Sequence, residues 1–267
     1  MAATLVPVPG WRMGVFPFGR PVVASEPVAA GRAAMFVLGA YPSALHVRWR
    51  PPQGKGRVVQ ALAVDNEPEP FWTGADEVHR VEQWMSQVGW SDAWGTVAPV
   101  SHLNGPSGFW VEERILGPLG VARADAWITD CLNTYRASVK MRAAVEDVYE
   151  PFARAHALPP AELAPHPSEA QIVSEGIDQN LARLRRELTA AAPDVIVTLG
   201  NAALRVLRTL LGDAAAPTRL TVADYGTELS ANLNGHEMSW LPLAHPAAPG
   251  RYQVAHEAWI AGRPGGP

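Results

Sequence analysis

The chain has 267 residues, of which 48% are hydrophobic and 18% charged, enough to bury a substantial core in one large domain or two small ones. No run approaches the roughly 18 uninterrupted apolar residues of a membrane span, and the opening MAATLVPVPGWRMG lacks a basic stretch, an apolar stretch and a cleavage site, so neither a membrane partner nor a secretory signal is expected. The single cysteine, Cys131, excludes an internal disulfide and an all-cysteine zinc or iron–sulfur site within one chain, and suits a cytoplasmic setting.

The net charge of −4 argues mildly against a nucleic-acid partner unless basic residues gather locally. Arg183, Arg185, Arg186, Arg205 and Arg208 form such a gathering, although solubility alone also places arginines on helix faces. Lys55 and Lys140 are the only lysines.

Residues 1–33 are rich in Pro and Gly and read as an arm ahead of a single α/β domain over 34–267. The apolar run at 34–38 (AMFVL) predicts a strand buried on both faces, and 58–64 (VVQALAV) predicts another. Residues 77–84 suit a short helix, and the Gly/Pro-rich stretch 91–120 reads as surface loop. A strand at 126–129 (AWIT) precedes a helical stretch over 139–155 and a loop over 156–167. Ser168 and Gln171 have the spacing of a capping box. They open a helix whose Ile172, Ile177, Leu181, Leu184 and Leu188 share a face.

Pro193 stops that helix before a strand at 195–199 (VIVTL), and Asn201 is positioned to cap the next helix, 202–211. The segment Asn232-Leu233-Asn234-Gly235 predicts a hairpin turn, and 240–243 the last strand. Strands alternating with helices predict a three-layer α/β/α fold around a central, mostly parallel, four-stranded sheet. Ligands in such folds bind outside the carboxyl ends of the strands. The site is therefore expected from residues 39–43, 130–136, 200–201 and 244–251.

Three of these segments, in order, resemble the uracil-DNA glycosylase superfamily. FVLGAYPSA resembles its water-binding loop, with Gly39, two variable residues (Ala40 and Tyr41), Pro42 and the small Ser43. PDVIVTLGNAALRVL is similar to its penultimate strand and helix, and LPLAHPAA to the His-Pro loop after the last strand. WITDCLNTYR takes the place of the base-reading strand. The resemblance covers roughly residues 34–260. It implies a DNA glycosylase that rotates a base out of the duplex and cuts its N-glycosidic bond, without cofactor or metal, with DNA as partner, and as a monomer.

On this resemblance His245 is expected to steady the departing base at O2, by the logic of an oxyanion hole. Phe71 is placed to stack on the base, with Trp72 as the neighbouring candidate. Asn201, Arg251 and Tyr252 are expected to face DNA, the last two as side chains that fill the gap left by the flipped base. Neither Ala40 nor Tyr41 is a carboxylate, so Asp65 or Glu67 is expected to orient the attacking water; an inactive base-binding module also fits this departure.

Ungapped alignment puts Asp130 where the superfamily often has a base-reading Asn. An ionised Asp can only accept hydrogen bonds, which suits the N4 amino group of cytosine. An alternative alignment gives that place to Asn133 and restores uracil preference. Ser43 lacks the bulk that blocks carbon 5 in the uracil-specific branch. Together Asp130 and Ser43 point to a modified cytosine, such as those of phage DNA. With neither lysine at a predicted strand end, hydrolysis by water is expected, not a lyase reaction. The remaining histidines show no ligand spacing and read as surface or packing residues.

Overall fold

A computed structural model describes residues 14–27, 31–52, 57–248 and 250–263. The elements in chain order are β1 (Met35–Gly39), β2 (Ala44–Arg50), β3 (Val59–Asn66), α1 (Glu77–Val88), β4 (Thr96–Pro99), α2 (Pro106–Val111), β5 (Ala126–Asp130), α3 (Val139–Ala144), α4 (Glu150–Ala155), α5 (Glu169–Glu175), α6 (Leu181–Ala191), β6 (Val195–Leu199), α7 (Gly200–Leu211), β7 (Leu229–Leu233), β8 (His236–Leu243) and α8 (Gly250–Ala261). Single π-helical turns join α3 to α4 and α5 to α6, so each pair runs on as one longer helix.

The central sheet has the order β5-β1-β6-β8-β7. The first four strands are parallel and β7 is an antiparallel edge. The four expected strands are thus present, and a fifth is added by the hairpin. Asn234 and Gly235 both have positive φ, 54° and 87°, the geometry a two-residue hairpin turn needs.

Alternation along the buried strands divides the core between the two faces of the sheet. Phe36, Leu38, Ile196 and Trp240 pack against Leu184, Leu188, Leu204 and Leu207 of α6 and α7. Met35, Val37, Val197 and Leu241 pack on the other face against Val111, Ile115 and Leu116, with Trp259 of α8 beside them. The result is helices, sheet, helices. The capping box forms, with Ser168 Oγ accepting from Gln171 N–H and the Gln171 side chain accepting from Ser168 N–H.

The run at 58–64 does form a strand, but in a separate sheet of order β3-β2-β4. Phe16, Phe18 and Val22 of the N-terminal arm pack there with Trp49, Trp84 and Tyr149, so residues 14–27 belong to this second core. Residues 91–120 depart from the expected surface loop. They form β4, α2 and a π turn that buries Val111, Ile115 and Leu116. Asn201 does not cap its helix. α7 starts at Gly200 with Leu199 before it, and the Asn201 side-chain oxygen instead accepts from Leu220 N–H at 2.8 Å.

Candidate base-binding site

The carboxyl ends of β1, β5, β6 and β8 lie side by side and bring Gly39, Asp130, Gly200 and His245 to one edge of the sheet. Gly39 is paired in register with Asp130. A Cβ at Gly39 would lie 2.2 Å from Asp130 Oδ1 and 2.6 Å from two atoms of the Phe71 ring, so only glycine lets this carboxyl and this ring converge. Phe71 itself has φ 54°, a strained backbone for a bulky residue. A Cβ on Gly108 of α2 would stand 2.0 Å from the Phe71 carbonyl oxygen. Arg123 braces the preceding turn by donating to Glu69 at 3.0 Å and to the Pro70 carbonyl at 2.9 Å.

Asp130 is 4% exposed, and its Oδ1 has no hydrogen-bond partner among the described residues. Loss of water pushes its pKa up to about 7, with Arg183 lowering and Glu187 raising it. Near neutral pH the carboxyl therefore divides between its protonated and ionised forms, where the sequence alone led one to expect it ionised. Arg183 fixes the strand end by donating to Thr129 Oγ1 at 3.0 Å and to the carbonyls of Asp130 and Cys131 at 2.6 and 3.1 Å.

Glu67 accepts from Ser43 N–H at 3.0 Å. Burial, and then the Asp130 carboxyl, push its pKa up to about 8. The residue as a whole keeps partial contact with water. Asp65 is engaged elsewhere, in an ion pair with Arg20 of the arm at 3.0 Å and in a bond from Asn66 N–H. Of the two expected carboxylates, Glu67 alone bonds the loop that follows β1.

His245 is half-buried, and burial lowers its pKa. Its Nδ1 accepts from Ala247 N–H at 3.1 Å, which leaves the single proton of the neutral ring on Nε2. A Cβ on Gly200 would come within 3.5 Å of His245 Cβ. Ala40, Tyr41, Pro42 and Ser43 on one side and His245 and Ala247 on the other line a cavity of about 1180 Å³. It extends past His46 and Tyr135 to α3. Asp130 and Phe71 are not in its wall; both stand on the side of Gly39 towards which a Cβ would project. Tyr41 also bonds His166 through its hydroxyl, and its pKa is raised by burial and then by Asp130.

The other sequence candidates do not line the large cavity. Asn133 is three residues beyond β5 and its carbonyl accepts from Ser25 N–H. Trp72 is buried in the second core and donates to Asp76 at 2.7 Å. Asn201 lines a separate cleft of about 660 Å³ with Glu169, Arg205 and Arg219. Arg251 is exposed at the start of α8 and stands 5.2 Å from the ring of Tyr252. The Tyr252 hydroxyl donates to the Leu220 carbonyl at 2.9 Å, and the residue shares a smaller cleft of about 300 Å³ with His245 and Pro246. Lys140 does line the large cavity, contrary to its expected place away from the site. Lys55 lies outside the described residues.

The arginine gathering is also largely structural. Arg183 is spent on β5, Arg185 donates to the Leu210 carbonyl, and Arg208 donates to the carbonyls of Ala214 and Ala216.

Two residues that sequence reasoning passed over support the histidine loop. Ala244 N–H donates to Tyr225 Oη at 3.3 Å, Tyr225 bonds His256 Nδ1 at 2.7 Å, and His256 Nε2 bonds the Arg114 carbonyl at 2.9 Å. This chain anchors the backbone just before His245. No local sequence signal marks it, because its members, Arg114, Tyr225, Ala244 and His256, lie on four separate segments.

The sheet thus carries an imidazole and a buried carboxyl at its carboxyl edge, on a mostly parallel α/β fold. The Uracil DNA glycosylase superfamily profile matches residues 72–260, and the chain belongs to that superfamily. Membership supports DNA glycosylase activity in general and DNA as partner. No curated protein matches the sequence. Among the described residues no helix is long and apolar enough to cross a membrane, and no group of three or more His, Cys, Asp or Glu is placed to hold a metal ion.

Proposed function

We infer that the protein is a monofunctional DNA glycosylase that hydrolyses the N-glycosidic bond of a flipped pyrimidine and leaves an abasic site. The observation that carries this reading is the state of His245: neutral, with Nε2–H free of the bond that occupies Nδ1. As the bond to the sugar breaks, negative charge gathers on the base. A fixed N–H donor at O2 stabilises that charge most in a site shielded from water. Phe71 stacks on the base once its ring leaves its place against Gly39. Glu67, when ionised, accepts a proton from the attacking water. The pKa of about 8 makes that form scarce at neutral pH, so activity carried by it rises with pH.

The substrate reading favours a modified cytosine, including 5-hydroxymethylcytosine and its glucosylated form, excised from phage DNA in a cytoplasmic antiviral role. It is supported by Asp130 in the base-reading place, by the small, exposed Ser43, and by a cavity larger than the ~300–1,000 Å³ of ordinary small-ligand sites. Uracil excision in repair is the second reading: the protonated form of Asp130 sets a donor beside an acceptor, which matches uracil O4 and N3–H as well as it matches cytosine.

The test is release of abasic sites from duplexes carrying uracil, cytosine, 5-hydroxymethylcytosine and glucosylated 5-hydroxymethylcytosine. Cleavage of uracil alone contradicts the modified-cytosine reading. DNA binding without any abasic product favours a silent binding module. Borohydride trapping of a covalent adduct, with Lys140 the candidate in the cavity wall, contradicts the monofunctional assignment.

A further inference from the structure

Asp130 is a buried ionisable group that leaving-group stabilisation by His245 does not use. It is 4% exposed and its Oδ1 has no partner among the described residues. The nearest cation, Arg183 on α6, is committed to Thr129 Oγ1, two backbone carbonyls and Glu187. The other titratable groups around it are Glu187 on α6, Glu67 after β3, Tyr41 in the loop after β1, and Cys131 next along the chain. None of these is a cation. A carboxyl with no free donor for its charge and two further carboxyls nearby retains its proton when removed from water.

A protonated carboxyl presents one donor beside one acceptor. Cytosine presents the complement: N3 accepts and the N4 amino group donates. We propose that Asp130 is the general acid for a cytosine-type base, giving its proton to N3 as the glycosidic bond breaks. The proposal rests on the reading of the protein as a glycosylase of flipped pyrimidines. Reaching the carboxyl requires the Phe71 ring, which shares the space above Gly39, to swing aside and stack on the entering base.

The step balances without any added reactant. The electron pair of the C1′–N1 bond passes to the ring while the Asp130 proton moves to N3. The base then leaves as its neutral N3–H tautomer, and Asp130 is left as a carboxylate. Water adds to C1′, and the proton it releases restores Asp130 through solvent. Uracil already carries a hydrogen on N3. It therefore gains hydrogen bonds but no proton from Asp130, and leaves as an anion steadied by His245.

The experiment is single-turnover base release from duplexes bearing cytosine, 5-hydroxymethylcytosine, uracil or 3-deazacytosine, in which N3 is replaced by C–H. The wild-type rate on cytosine-type bases falls as pH rises through the titration of Asp130, and the uracil rate lacks that limb. The 3-deazacytosine duplex reacts about 100-fold more slowly than the cytosine one, or slower still, the range of a lost general acid. Asp130→Asn keeps the hydrogen-bonding pattern without the proton, so kcat on cytosine-type bases falls by a similar factor at unchanged KM, and the ratio of uracil to cytosine release rises.

Release of 3-deazacytosine at the cytosine rate overturns the proposal, as does retention of cytosine release by Asp130→Asn. Wild-type release of uracil but of no cytosine-type base overturns it and leaves the glycosylase reading standing. Release of no base from any duplex overturns both.

Discussion

Replacing Asp130 by Asn tests the protonation state of the site without any substrate. The folded protein raises the carboxyl from its ordinary 3.8 to about 7, so over that interval the native state binds more protons than the unfolded chain. Stability from this group is fully present below the unfolded value and is lost as pH rises through the folded one. At about 1.36 kcal/mol per pH unit, the loss between about pH 5 and about pH 8.5 comes to roughly 3 kcal/mol. Asparagine is close to isosteric and does not titrate.

Urea denaturation of both proteins over this pH range measures the difference, and taking the difference cancels the titration of other groups. The variant should gain about 3 kcal/mol on the wild type between the two ends of the range, and at the alkaline end it should be the more stable protein. Parallel stability curves would show that Asp130 is already ionised at about pH 5, and would refute the argument from burial.

Three further substitutions probe the surroundings. Gly39→Ala puts a methyl 2.2 Å from Asp130 Oδ1 and 2.6 Å from Phe71; a cost of about 1–3 kcal/mol in denaturant unfolding is expected, with loss of base release. Glu67→Gln keeps an acceptor for Ser43 N–H but cannot ionise. Wild-type uracil release should rise as pH passes about 8, and the variant's pH profile should lack that limb. Tyr225→Phe removes the hydroxyl that links Ala244 to His256. Losing those bonds should lower stability by about 1–3 kcal/mol and slow base release more than it weakens DNA binding, as measured by single-turnover kinetics and fluorescence anisotropy.

What the sequence made legible was what local pattern determines. The strand over Val195–Leu199, the capping box at Ser168 and the Asn-Gly turn each follow from a few adjacent residues, and the structure contains all three. The second sheet was hidden because β4 is only four residues long and carries no full alternation. Residues 91–120 looked irregular because Gly105 and Gly117 bracket a helix that passes into a π turn. That spreads Val111, Ile115 and Leu116 off a simple helical period.

Within the site, the strand-end logic placed Gly39, Asp130 and His245 on one edge, and the structure brings them there. The protonation of Asp130 was not legible. It depends on burial beside Phe71 and on Glu187, against the opposing charge of Arg183, and these residues are distant from Asp130 in sequence and converge only when the chain folds. The arginine gathering misled for a related reason. A sequence shows where guanidinium groups lie along the chain but not which backbone carbonyls they will serve.

The central claim is that the imidazole at 245 steadies the departing base. It is tested most directly by single-turnover release from one cleavable duplex with wild type and His245→Ala, alongside their affinities for that duplex. The account predicts that the variant binds DNA as well as the parent and releases the base about 100-fold more slowly or worse, the usual cost of a lost donor of this kind. Release by the variant at the parental rate would contradict it.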